Sequence, residues 1–234
     1  MQPQTEVLIA GAGPTGLVLA LWLTHLGVKV RIVDKAAQPG TTSRAVVVHA
    51  RILEAYSQID LAREIVDRGL KMAAANLWVG GTRKGRLVFG DMGQSISPFP
   101  YALIFPQDEH ERLLIEHLTA LGVTVERNTE LVGCENKTDC VTANLRRPDG
   151  SEETVEIAFL AGCDGARSAV REASTIGFPG GTYAHVYYVA DVEASGRAMN
   201  GELNVALDEA DFLAIFPLQG TGRARFIGTV KPEA

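Results

Sequence analysis

Six residues near the start of the chain, Gly11-Ala12-Gly13-Pro14-Thr15-Gly16, set three glycines at the spacing GxGxxG. A loop of this kind can lie against phosphate. Gly11 permits a tight turn, Gly13 lets main chain approach a pyrophosphate, and Gly16 lets a helix pack closely on a sheet. The loop follows an apolar run, residues 6–10, and opens another, residues 15–26. The free amides and positive end of a helix would therefore face the phosphates. Pro14 falls in the first helical turn, where a missing N–H costs little. Asp34 ends the next apolar run, near the offset of about 20 residues expected of an acid that binds ribose hydroxyls. A carboxylate there repels a 2′-phosphate, so FAD or NAD is expected and NADP is not.

A second stretch, Gly162-Cys163-Asp164-Gly165-Ala166-Arg167-Ser168-Ala169-Val170-Arg171, reads as a strand end, a tight Asp-Gly turn and a short helix with Ser168 near its start. Taken alone it is as compatible with an ordinary turn as with a site. Other chemistry-bearing residues do not cluster. The five histidines are scattered, and His110 and His117 are two helical turns apart, which is no metal template. Cys134, Cys140 and Cys163 match no zinc spacing and read as small buried residues. His49 is expected to be structural, Trp22 to be core, and Trp78 is a candidate for a substrate-facing position.

These residues need elements to hold them. Residues 6–10 and 29–33 read as strands around a helix over 15–26 capped by Gly27, a βαβ unit of about 30 residues. The alternation then breaks. Helices are expected over 44–56 and 61–69, strands over 73–79, 86–89 and 102–105, and a patterned helix over 107–121, with Leu113, Leu114, Leu118 and Leu121 in one stripe. A third parallel strand is expected at 124–126. Runs at 129–136, 140–146 and 154–158 form an antiparallel meander turned by Arg147-Pro148-Asp149-Gly150. Residues 159–162 make another short strand. From 183 onward the chain reads as all-β, with runs at 184–192, 201–206, 212–216 and 224–228.

The 234 residues carry 46% hydrophobic and 21% charged residues and a net charge of −6. That is globular composition. It offers no basic stripe for nucleic acid and little attraction to anionic membranes. No apolar run reaches the roughly 20 residues of a membrane span. No basic leader precedes the first strand. A cytoplasmic protein without nucleic-acid or membrane-spanning function is expected.

Loop 11–16 together with the stretch 163–171, which fits CDGxxSxVR at every named position, resembles the class A FAD-dependent aromatic hydroxylases. These flavoprotein monooxygenases include p-hydroxybenzoate hydroxylase and the polyketide hydroxylases. The resemblance spans essentially the whole chain and moves the cofactor from NAD to FAD. It implies an α/β fold: a Rossmann-like FAD-binding βαβ domain of the glutathione-reductase type, with an antiparallel meander and part of a β-rich substrate domain. The implied division is FAD-binding over 1–72 and 102–177, substrate-binding over 73–101 and 178–234.

The resemblance also implies site residues. Gly11, Gly13, Pro14, Thr15 and Gly16 would hold pyrophosphate, and Asp34 with Lys35 the ribose. Arg44 would lie near the flavin, Gln107 near the ribityl and phosphate region, and Leu131 and Val132 near the adenine. Asp164, Gly165, Ser168 and Arg171 form the motif associated with FAD and NAD(P)H. The implied reaction is reduction of FAD by NAD(P)H, reaction with O2 to a C4a-hydroperoxyflavin, and hydroxylation of an aromatic or polyketide substrate. A related halogenase, epoxidase or reductase is an alternative, as is a non-catalytic nucleotide-binding remnant. The family's third mark, a later Gly-Asp segment, has no counterpart, since Gly90-Asp91 stands in another context. An N-terminal portion of a longer protein is thus expected, with weakened FAD binding and an open substrate cavity.

Overall fold

The computed structural model describes residues 5–40, 45–183, 185–208 and 211–230. In chain order it begins with β1 (Val7–Ala10), α1 (Pro14–His25) and β2 (Val30–Val33). There follow β3 (Val47–Val48), α2 (Ala50–Ser57), α3 (Ala62–Arg68), β4 (Leu70–Met72), β5 (Ala74–Val79), β6 (Thr82–Val88), α4 (Phe89–Gly93) and β7 (Ala102–Ile104). The next segment holds α5 (Gln107–Ala120), β8 (Val125–Glu126), β9 (Glu130–Asn136), β10 (Val141–Arg146), β11 (Glu152–Ile157), β12 (Phe159–Gly162) and α6 (Ala169–Ala173). The chain closes with β13 (Val186–Glu193), β14 (Leu203–Asp208), β15 (Asp211–Pro217) and β16 (Arg223–Val230).

Two compact units emerge, Met1–Ser43 with Gln107–Gly180 and Arg44–Pro106 with Gly181–Ala234. Residues 44–72 and 102–106, expected with the first domain, belong to the second compact unit.

The first unit is built on a parallel sheet in the order β12-β1-β2-β8. Val7, Leu8, Ile9 and Ala10 are all buried, as a central strand covered on both faces requires. The three-stranded meander β11-β10-β9 packs on it through Leu131, Ala143, Leu145 and Ile157 against Leu8, Ala10 and Val33. Each large side chain buried there contributes about 1.5–3 kcal/mol. α1 ends where Gly27 adopts φ +78, and the Val28 amide donates back to Leu23 O at 3.0 Å. α5 buries Leu113, Leu114 and Leu118 of the expected stripe, but it ends at Ala120, and Leu121 lies past its end and is exposed. A salt-bridge cluster clamps the sheet to the meander. The Arg31 guanidinium donates to Glu126 Oε1 at 2.6 Å and to Glu153 Oε1 at 3.0 Å, and Arg147 reaches both carboxylates. Those partners, Glu126 first and then Glu153, raise the Arg31 pKa further, while Arg31 lowers that of Glu153.

The second unit holds a six-stranded sheet, β13-β16-β15-β14-β5-β6, and a small sheet, β3-β7-β4. The expected helix over 44–56 is corrected here. Val47 and Val48 pair with Ile104 and Leu103 as a strand, and the helix begins only at Ala50. Three consecutive β-branched valines disfavour helix and suit a pleated sheet. The expected strand over 86–89 ends at Val88, and Phe89 opens a short helix instead. Strand β4 was not apparent from the sequence.

Candidate functional site

Register brings the two motifs together. β1 pairs with β2 and β12 in parallel, with Ala10 beside both Val33 and Gly162. The residues that follow, Gly11, Asp34 and Cys163, therefore emerge side by side at the carboxyl ends of three adjacent strands. That is where open α/β sheets bind ligands. The Gly11 amide donates to Val33 O at 2.8 Å and the Cys163 amide to Ala10 O at 2.7 Å.

The glycines have separate reasons. Gly11 has φ +102, and a Cβ there would sit 2.3 Å from Cys163 O. A Cβ on Gly16 would sit 1.9 Å from Gly11 O. Both are therefore required by the protein itself. A Cβ on Gly13 would meet no atom within 4 Å. Its bareness clears space in front of the loop. No side chain caps α1, and no acid stands in its first turn. Its positive end is open to an anion.

Asp34 is more engaged than a ribose acceptor alone would be. Its Oδ2 accepts from the Ala12 amide at 2.6 Å and its Oδ1 from the Ala36 amide at 2.7 Å. It thus ties the glycine loop to the end of β2. Arg127 lies 3.8 Å from the same carboxylate. Across the cleft, Asp164 Oδ2 accepts from the Ala169 amide at 2.7 Å. Asp164 Oδ1 is buried and has no partner among the described residues. Burial, and then the Asp164 charge, raise the Cys163 thiol pKa, so Cys163 is a neutral wall residue.

The resulting open cleft has a volume of about 290 Å³. Of the expected residues it is lined by Gly11, Gly13, Asp34, Lys35, Leu131, Asp164 and Gly165. Cys163 and Ala169 of the second motif also line it, as do Thr129 and Glu130, which were not singled out by sequence. Pro14, Thr15 and Gly16 stand behind the loop in α1. Val132 follows Leu131 on β9 and, by alternation, points away from the cleft. Ser168 caps α6 through the Arg171 amide at 3.0 Å. The Arg171 side chain donates to Ala166 O at 2.8 Å and covers the Phe178 ring at 4.2 Å. Gln107 donates to Glu111 Oε1 at 2.8 Å, outside the cleft lining. Arg44 lies outside the described residues.

The second unit has an apolar cup of about 600 Å³, with Met72, Phe89, Ile96, Phe99, Tyr101 and Phe216 in its wall and His49 at its rim. Trp78 does not line it. The Trp78 indole donates to the buried Asn204 at 2.8 Å, inside a polar network with Asn200 and Glu202.

A family model described as FAD binding domain matches residues 4–234. The chain belongs to this FAD-binding family. The 6-methylpretetramide 4-monooxygenase of Streptomyces rimosus is 44% identical over 167 residues, covering 71% of this chain and 30% of the relative. The chain spans between 30% and 42% of the length of the curated relatives it matches. Among solved structures, p-nitrophenol 4-monooxygenase from Pseudomonas putida has a TM-score of 0.91 at 24% identity, over 100% of this chain and 60% of that one. Aklavinone-11 hydroxylase with FAD and aklavinone gives 0.82 at 25% identity, over 99% and 47%.

The cleft fits the group this family binds. The space before Gly13, the uncapped helix end and the unpartnered Asp164 oxygen are all polar features left open by the protein's own contacts. Among the described residues no helix is long and apolar enough to cross a membrane, and no cluster of three or more His, Cys, Asp or Glu side chains could hold a metal.

Proposed function

We propose that this chain supplies the FAD-binding part of an NAD(P)H-dependent cytoplasmic monooxygenase that hydroxylates an aromatic or polyketide substrate with O2. The observation that carries the reading is the convergence of loop 11–16, Asp34 and residues 163–165 on one cleft at the carboxyl ends of β1, β2 and β12. Gly11, Gly13, Pro14, Thr15 and Gly16 present the α1 amides to the pyrophosphate. Asp34 and Lys35 take the ribose, and Leu131 shapes the adenine end. Asp164 and Gly165 close the opposite wall, with Ser168 and Arg171 fixing the helix behind them. Gln107 and Arg44 act on the flavin side. FAD, when bound, supplies the redox chemistry and oxygen activation; the protein supplies orientation and exclusion of water.

The cup walled by Phe89, Phe99, Tyr101 and Phe216 suits a flat aromatic ring held by stacking and burial. Relatives named for a pretetramide and for aklavinone support that substrate class. The functional division into FAD-binding and substrate-binding parts follows this cleft and this cup. The test is phenol-stimulated oxidation of NADH or NADPH by the FAD-loaded chain, with the hydroxylated product identified by mass. NAD(P)H oxidation that yields a halogenated or epoxidised product, or no phenol dependence, would replace this reading with the halogenase, epoxidase or reductase alternative.

A further inference from the structure

One turn into α5 the chain buries a carboxylate beside a neutral partner. Glu111 is only 5% exposed. Its Oε1 accepts from Gln107 Nε2 at 2.8 Å, and Gln107 is the first residue of the same helix. Its Oε2 lies toward the loop that leaves Asp34, 4.0 Å from where a Cβ on Gly40 would stand. The two residues are set at i and i+4, a pairing that adds little to a helix. Burying a carboxylate beside an uncharged amide costs more than such a pair returns. Helix stability therefore does not account for Glu111.

The pairing decides which way the Gln107 carboxamide faces. An ionised carboxylate only accepts, so the amide nitrogen must point at Glu111 and the carbonyl oxygen away from it. We propose that Glu111 is a positioning residue, holding the Gln107 carboxamide so that its carbonyl oxygen accepts from the ribityl hydroxyls of FAD. The inference rests on the FAD reading above. A Gln107 released from Glu111 could turn either end of its amide toward those hydroxyls, and it would lose rotamer freedom on binding. Held in advance, it meets the cofactor without that cost. ADP carries adenine, ribose and pyrophosphate but no ribityl chain, so its binding does not sense the arrangement.

Glu111→Met keeps an unbranched side chain and removes the acceptor. Titration followed by quenching of flavin fluorescence should find FAD bound about fivefold more weakly by this variant, the effect of one hydrogen bond. Its affinity for ADP, read by calorimetry, should not change. Glu111→Gln still offers an oxygen to Gln107 and should return FAD affinity to within about twofold of wild type. Gln107→Ala should weaken FAD as Glu111→Met does, and the double variant no further. Should Glu111→Met not fold, Glu111→Asp, whose shorter side chain withdraws the oxygen, is expected to show the same loss for FAD alone. Wild-type FAD affinity in these variants, additive losses in the double variant, or an equal loss of ADP affinity would overturn the proposal. A wild-type chain that fails to bind FAD would instead overturn the cofactor reading, and this role with it.

Discussion

The cleft of the first unit is walled largely by main chain, whereas the cup of the second is walled by side chains. In the first, Gly11, Gly13 and Gly165 leave backbone exposed to a ligand, and Asp34 spends its carboxylate on the Ala12 and Ala36 amides. In the second, Phe89, Phe99 and Tyr101 of one stretch meet Phe216 of a distant segment only through the fold. A main-chain site suits a constant ligand such as a cofactor, because few substitutions leave it intact. A side-chain site can change its specificity one residue at a time without changing the backbone.

This contrast predicts a graded set of effects. The largest belongs to Gly16→Ala, whose new Cβ would collide with Gly11 O. It should destabilise the first unit by about 3 kcal/mol or more, read as a lowered urea midpoint. An unchanged midpoint would mean that the loop is not packed as described.

Next comes pH. Burial holds the His110 imidazole down at about 4, below its ordinary 6.5. Between these values the unfolded chain takes up a proton that the folded chain refuses. Stability should therefore fall as pH drops from 6.5 toward 4, by up to about 3 kcal/mol. Unfolding curves at several pH values should show His110→Gln losing much of that slope; an identical slope in the variant refutes the assignment.

Arg31→Ala removes the centre of the cluster with Glu126 and Glu153 and should cost about 2 kcal/mol. Its effect should shrink at low pH as the carboxylates protonate, since Glu153 owes its depressed pKa first to Arg31.

The smallest effect is expected in the cup. Ile96 is largely exposed, so Ile96→Ser should leave the melting temperature unchanged. It should weaken binding of a naphthol probe by a few-fold, about 1 kcal/mol of lost apolar contact. A loss of folding instead would show that the cup wall is structural.

The same contrast explains what the sequence disclosed. Loop 11–16 and Asp34 were legible because backbone approach demands glycine at fixed spacing and an acid at a fixed offset. The α5 stripe and the meander were legible because burial imposes a period. Strand β4 and the cup were not, because three-residue strands and distant aromatic residues leave no local pattern. The helix expected across Val46–Val48 failed where strand pairing with residues 103–104 outweighed the continuing apolar run. Nor could any spacing rule show that Asp34 braces the loop, since its amide partners are fixed only once β2 and the loop are side by side. Likewise, Ser168 and Arg171 belong to the motif by sequence, while their side chains hold α6 and its surroundings.

The central claim is that Gly13 is bare for the cofactor and not for the fold. Titration of FAD into the wild-type chain and Gly13→Ala, followed by quenching of flavin fluorescence, tests it most directly. The expected result is an unchanged melting temperature with FAD affinity at least about tenfold weaker, roughly 1.4 kcal/mol. Equal FAD affinity in the two proteins would contradict it.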